Sequence, residues 1–288
     1  MSEEIGLSAE ELRSWIGRSI EEEDVVTAAP IMNYAATMDW EVPEVKDGDE
    51  IPPGAHWFFF HDRTRHSELG EVGLPKRGEF LPPVQLARRM HAGNRLEYLK
   101  PLHVGEKIHR KTEIHDITPK MGGTGQLVFI ITRNTISGKD GPALIDDRTI
   151  VYREAAKPSD TKRKPAPPRD DAVWEKVYQA DPIQMFRFSA LTFNASRIHY
   201  DYKYVTEIEG YPGLIVNARL TTSLLIDFCL EKNKGRSLTE VATKFVRPLY
   251  DFAPFSLSGK PNSAGDGATM WVADPDGATA MVSEMRFG

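Results

Sequence analysis

Three side chains within six residues have the types needed for proton chemistry. They are Asn194, Ser196 and His199, in the run FRFSALTFNASRIHYDYKYVTEIEGYPGLIVNAR that starts at Phe186. An imidazole exchanges protons near neutral pH, which suits a general base or acid. The run then turns through Gly210-Tyr211-Pro212-Gly213 into an apolar stretch from about Leu214 to Glu231, which predicts a helix buried on nearly every side. Free N–H groups at a helix start can hold a developing oxyanion. Taken alone, a single histidine in such a turn is equally consistent with a structural hydrogen bond.

The other histidines carry less. His56, His61 and His66 lie five apart with Asp62 among them, but that spacing does not share a helix face and no cysteine assists, so no metal site is expected. His103, His109 and His115 alternate along a strand region and read as surface. Arg88 and Arg89 could meet the phosphates of coenzyme A, or be a solvated basic pair. The glycines around Gly122 join two strands rather than a strand and a helix, so they do not form a phosphate loop. No nucleotide fingerprint is present, and no redox cofactor is implied.

The elements that must position these groups fall into two halves. The 288 residues and the 40% hydrophobic content allow one large or two ordinary domains. A net charge of −6 argues against nucleic acid or an anionic membrane as partner. The one cysteine, Cys229, excludes an internal disulfide and fits a reducing compartment. The acidic start has no signal or transit character, and no run is long enough to span a membrane, so a cytoplasmic protein is expected.

In order, the chain predicts a short helix over 8–17 opened by the capping box Ser8-Ala9-Glu10-Glu11, and a second helix over 28–40 opening at Pro30. A long loop over 41–85 is expected to be a lid or pocket wall. Strands follow at 94–100, 106–118, 126–136 and 142–153, forming an antiparallel sheet. The proline-rich, charged segment 155–171 reads as a linker, and more strands follow near 238–248, 254–260, 268–273 and 278–287.

The halves echo each other. Glu97-Tyr98-Leu99-Lys100-Pro101-Leu102 parallels Lys244-Phe245-Val246-Arg247-Pro248-Leu249, and Ala35-Ala36-Thr37-Met38-Asp39-Trp40 parallels Ala190-Leu191-Thr192-Phe193-Asn194-Ala195. Two echoes in the same order on either side of a linker predict a duplicated α+β unit. The expected division is an N-terminal half at 1–154, a linker at 155–171 and a C-terminal half at 172–288 that keeps the histidine.

SALTFNASRIHYD, EGYPGLIV, the basic-Pro-Leu strand ends and LPPVQLARRM together resemble the MaoC-like hydratase/dehydratases, from about residue 8 to the end. The similarity is to the double-hotdog branch with mesaconyl-CoA hydratases and hydroxyacyl-thioester dehydratases. It implies a double hotdog, antiparallel sheets wrapped on a helix and duplicated in one chain, that reversibly adds water to an α,β-unsaturated acyl thioester. The wider family's motif is Asp-x-Asn-Pro-x-His. In this chain His199 stands at the histidine, Asn194 at the aspartate, Ser196 at the asparagine and Arg197 at the proline. Asn194 cannot ionise, and Asn217-Ala218-Arg219 stands where the branch usually has His-Gly-Pro, departures that bear on the substrate.

The resemblance implies His199 as general base and acid, Asn194 orienting the water, and amides near Gly213 and Leu214 polarising the thioester carbonyl. Ser196, Asn217 and Arg197 are candidates for substrate contact. The substrate would be an acyl-CoA or an acyl carrier protein thioester, with no further cofactor. One chain would supply both hotdog units, which allows a monomer, while a homodimer is common among such proteins. The rival readings are a hotdog thioesterase, for which Asp227 is the only carboxylate well inside the long helix, and a non-catalytic acyl-thioester binding subunit.

Overall fold

Alternating β-branched and polar residues build ten strands in the computed structural model, which describes residues 5–76, 79–122, 125–154 and 168–288. The first five are β1 (Ser19–Val25), β2 (Arg88–Tyr98), β3 (Lys107–Gly122), β4 (Gly125–Gly138) and β5 (Gly141–Arg153). The second five are β6 (Trp174–Tyr178), β7 (Leu238–Phe245), β8 (Phe255–Pro261), β9 (Gly267–Ala273) and β10 (Thr279–Phe287). All pair antiparallel in one sheet of order β1-β3-β4-β5-β2-β7-β10-β9-β8-β6. Read inward from each edge, the order is β1-3-4-5-2 on one side and β6-8-9-10-7 on the other. That is one five-stranded unit used twice, as the echoes predict. The halves meet where β2 pairs with β7, Gly93 opposite Lys244 through Glu97 opposite Glu240, so the two expected sheets are fused edge to edge. Each of these two strands leads into its basic-Pro-Leu segment.

The helices are short except for one. Helix α1 (Ala9–Arg13) carries the capping box: Glu11 N–H donates to Ser8 Oγ at 3.2 Å and Ser8 N–H to Glu11 Oε2 at 2.7 Å. It ends four residues earlier than its apolar pattern predicts. Helices α2 (Ala28–Thr37) and α3 (Pro182–Leu191) pack against each other through Tyr34 and Phe188, ring centroids 6.5 Å apart, and Gln184 Nε2 donates to the Thr37 carbonyl at 3.1 Å. Both helices end alike. Met38 and Thr192 sit near φ −90°, and Asp39 and Phe193 follow with positive φ, 59° and 49°. The fold therefore sets Asp39 against Phe193, one residue out of step with the sequence echo that matched it to Asn194.

Helix α4 (Ala218–Lys232) lies on the concave face of the second half, burying Leu220, Leu225, Ile226, Phe228 and Cys229 in one core with Met270, Val272, Met281 and Met285. Each such large apolar side chain contributes roughly 1.5–3 kcal/mol. The helix starts four residues later than the apolar run from Leu214 predicts. Ile215 N–H instead donates to the Ile198 carbonyl and Val216 N–H to the Leu249 carbonyl, both at 2.9 Å, holding 214–217 extended.

The first half has no described helix in that position. Its place is taken by chain 51–60, with a single 3-10 turn at Ala55–Phe58, whose Trp57, Phe58, Phe59 and Phe60 are all buried. Residues 155–167 of the expected linker lie outside the described residues. Among the described residues no helix is long and apolar enough to cross a membrane.

Candidate active site

The chain leaves α3 through Phe193, whose left-handed backbone is uncommon for a bulky residue and whose ring stacks on His61 at 5.4 Å. Asn194 follows. Its N–H donates to the Ser189 carbonyl at 2.8 Å, and its Oδ1 accepts the Ser196 N–H at 3.1 Å, closing an Asx-turn that leaves the side-chain NH2 without a partner among the described residues. A 3-10 turn at Arg197–His199 then carries the histidine inward.

His199 is buried, and its Nδ1 lies 2.7 Å from the Ile215 carbonyl oxygen. A carbonyl only accepts, so Nδ1 carries the proton and Nε2 presents a bare lone pair. Burial pushes the imidazole down to about 4, against the raising effect of the Ile215 bond, so His199 is neutral at pH 7.

Facing this ring is the extended segment before α4. Gly213 and Leu214 are buried, and their N–H groups have no hydrogen-bond partner among the described residues. A Cβ at Gly213 would come within 2.6 Å of the Phe252 ring, which explains the glycine. The first turn of α4 is also open. Asn217 is its N-cap but does not cap it; its Nδ2 donates to Ser189 Oγ at 3.0 Å and its Oδ1 is buried without a partner among the described residues. Ser196 is buried, and its carbonyl accepts the His199 N–H. Arg197 is occupied elsewhere: Nη2 meets Asp201 at 2.8 Å, Nη1 the Glu71 carbonyl at 3.1 Å, and its guanidinium lies over the Tyr204 ring.

The long loop of the first half reaches this loop of the second. Arg197 N–H donates to the Val72 carbonyl at 3.1 Å, and a Cβ built at Gly73 (φ 80°) would overlap the Ala195 carbonyl oxygen. Only glycine fits there.

Beside Thr192 and Phe193 a recess of about 190 Å³ opens over the concave face of the first half. Its wall comes from chain 56–62 and strands β3–β5, and Arg219 enters it from the first turn of α4. A polar row crosses the floor: Thr112 Oγ1 donates to Asn134 Oδ1 at 2.7 Å, and Asn134 Nδ2 to the Asp146 carbonyl at 3.2 Å. Arg148 Nε donates to Asp146 Oδ2 at 3.1 Å, and His56 Nε2 lies 3.8 Å from the same oxygen. Burial would raise Asp146, but Arg148 and then His56 hold it far below the usual carboxylate range. Sequence reading missed this set, Arg219, Arg148, Arg110 and Asp146. Its one visible signal was an arginine at the start of an otherwise apolar helix. The groove of about 950 Å³ between β1, β3 and the β4–β5 turn is larger, but contains no second-half residue.

A ten-stranded sheet with one buried helix, an uncapped helix start and a bare imidazole beside it defines a double-hotdog protein of the thioester-handling class. The comparisons agree. The pattern of the hydroxyacyl-thioester dehydratase type 2 family matches residues 54–251. The mesaconyl-C(4)-CoA hydratase of Chloroflexus aurantiacus is 37% identical over 284 residues, covering 98% of this chain and all of the relative. Among solved structures, a MaoC-like dehydratase superposes with a TM-score of 0.70 at 15% identity, over 96% of this chain and 99% of that one. A Mycobacterium tuberculosis protein described as a double hotdog gives 0.59 at 13% identity, over 94% and 95%. The chain belongs to the hydroxyacyl-thioester dehydratase type 2 family.

Proposed function

We propose that this chain adds water to, and removes it from, the α,β-bond of an acyl-CoA with His199 as the single proton-transfer group. Hydration and dehydration of acyl thioesters is the activity of its relatives, and the chain is a hydro-lyase of this kind. Coenzyme A is the carrier we propose, after the 37%-identical hydratase. The thioester carbonyl lies against the N–H groups of Gly213 and Leu214, with the open end of α4 behind them. A water held by the free NH2 of Asn194 attacks the β-carbon while His199 Nε2 takes its proton. The electron pair of the C=C bond moves toward the thioester, and the enolate charge rests on the amides. Nε2–H then returns the proton to the α-carbon. One group serving one face gives syn addition. In this scheme the second half does the chemistry and the first half walls the substrate.

The observation that supports this reading is the pinned tautomer, Nδ1–H on the Ile215 carbonyl, leaving Nε2 bare beside unpaired amides. The thioesterase reading is weaker. Asp227 accepts the Tyr34 hydroxyl at 2.8 Å and stands roughly 13 Å along the helix from its start, at about 1.5 Å per residue. The test is loss of enoyl absorbance from crotonyl-CoA and mesaconyl-CoA, with free thiol followed in parallel. Hydration without thiol release is expected, falling by about 10²–10⁴ in His199→Ala. Thiol release would mean a thioesterase. Tight binding without turnover would mean a binding subunit.

A further inference from the structure

Two phenylalanines with left-handed backbone stand where the halves meet. Phe60 (φ 56°) and Phe193 (φ 49°) both adopt a conformation that bulky residues seldom take. Phe60 is pinned. Its N–H donates to Asp24 Oδ2 at 2.6 Å, its carbonyl accepts Arg110 Nη2 at 3.2 Å, and its buried ring lies 4.8 Å from that guanidinium. Phe193 is 58% exposed, so burial does not account for a phenylalanine there. Its counterpart at the end of α2, Asp39, is also exposed, but aspartate is among the residue types enriched in left-handed backbone. Conformations of this kind persist where neighbouring contacts over-determine them.

His61 supplies two such contacts from the first half. Its Nε2 lies 3.0 Å from the Leu191 carbonyl, and since a carbonyl only accepts, the ring donates there. Its face lies against Phe193, with ring centroids 5.4 Å apart and planes 20° from parallel. The imidazole thus grips the last residue of α3 and the second residue beyond it, and Asn194 comes next. On the far side of the same loop, Arg197 N–H donates to the Val72 carbonyl.

We propose that His61 is a positioning residue for Asn194: it holds the left-handed turn at Phe193 and so sets the direction in which the Asn194 side chain points. The proposal deepens the hydratase reading, on which the water-holding role of Asn194 rests. His61 transfers no proton in this role. The anchors of Phe60 fix where His61 starts, so Asp24 of β1 and Arg110 of β3 reach the active loop through two rings. Without His61, Phe193 relaxes toward ordinary backbone and the peptide before Asn194 rotates.

The experiment reads turnover and backbone hydrogen exchange in His61→Ala and in His61→Phe, which keeps the ring and loses the donor. The substrate is crotonyl-CoA or mesaconyl-CoA, whichever the wild type hydrates. His61→Ala is expected to lower kcat by about 10- to 100-fold with KM within about twofold, because a displaced loop loses transition-state contacts rather than substrate binding. His61→Phe is expected to recover at least about threefold of that loss, which guards against misfolding of the alanine variant. Without substrate, exchange over residues 189–199 is expected to rise at least about tenfold in His61→Ala, while β7 exchanges as in the wild type. Phe193→Gly accepts the left-handed turn without a stack, and in that background His61→Ala is expected to lower kcat by no more than about threefold further. A raised KM with unchanged kcat would overturn the proposal, because His61 would then act on the substrate as part of the recess wall. So would an equal rise of exchange in β7, a His61→Phe variant no better than alanine, or an undiminished loss in the Phe193→Gly background. If the wild type hydrates neither thioester, the hydratase reading falls by itself, and the exchange comparison still decides whether His61 holds the Asn194 turn.

Discussion

The two halves are the same five strands in the same order, yet their concave faces are opposites. In the second half, α4 covers the sheet over a large apolar core from Leu220 to Met285, whose buried polar groups are hydroxyls such as Thr221, Thr222 and Ser283 and the single carboxyl of Asp227. In the first half, chain 51–60 stands in place of the helix, and the sheet beneath it carries Arg110, Thr112, Asn134, Asp146 and Arg148. A sheet that does not have to pack a helix is free to carry charge. Duplication thus separates two demands that conflict in a single unit. A dry helix and its N-terminal amides are kept in one copy, and in the proposed scheme a polar wall for the substrate is kept in the other.

The sharpest way to break this contrast is to remove the charge balance of the first half. Asp146→Ala leaves the half-buried Arg148 and the buried His56 without their carboxylate and Arg219 more exposed to its like-charged neighbours. A loss of about 3–5 kcal/mol in urea unfolding is expected. The double change Asp146→Leu with Arg148→Met replaces the pair by apolar groups and should recover much of that loss. If Asp146→Ala costs no more than an ordinary surface substitution, the polar wall is not an electrostatic unit.

The next test cuts the contact between the halves. Gly73→Ala places a methyl group against the Ala195 carbonyl and forces a left-handed alanine, so the loop carrying Asn194 must shift. A displacement near 1 Å at a catalytic loop costs on the order of 100-fold in rate. We expect a fall of about 10- to 100-fold in kcat with a smaller change in overall stability. Unchanged kcat would show that the first half does not position the loop.

Much of the fold was legible because its signals are local. Alternation marked β3, β4, β5 and β7–β10 to within a few residues, and the basic-Pro-Leu echo marked the two strands that join the halves. The edge strands β1 and β6 were not seen. SIEEEDV and WEKVY face solvent along most of their length and owe their pairing to a single neighbour each. The start of α4 was misplaced because Leu214–Val216 is apolar yet bonded sideways to Ile198 and Leu249. His199 and Asn194 stand out in the sequence as a motif, whereas the recess does not. Its polar groups come from three strands, one loop and a helix start, and each reads as an ordinary surface residue until the sheet closes around it.

The smallest expected effect concerns acid, and its sign differs between two groups of the second half. His199 has its ordinary value of 6.5 when unfolded and about 4 when folded, because of burial. Between those values the unfolded chain binds more protons, so its contribution is complete above pH 6.5 and is lost as the pH falls toward 4. Asp227 runs the other way. Burial raises it from 3.8 to about 7, against the lowering bond from Tyr34, so its folded form binds more protons and gains stability over the same fall in pH. Each slope is at most about 1.4 kcal/mol per pH unit, and over pH 4.5–6.5 the two oppose each other. In the first half His91, pushed down to about 3 by burial and then by Arg148, has the same sign as His199, and among the described residues its half has no buried carboxyl raised like Asp227 to oppose it. Urea unfolding of the wild type should therefore show a shallow loss of stability from pH 6.5 to 4.5. Asp227→Asn, which keeps an acceptor for Tyr34, should make that loss steeper. An unchanged profile in the variant would mean that Asp227 is ionised in the folded protein throughout this range and that the second half has no opposing titration.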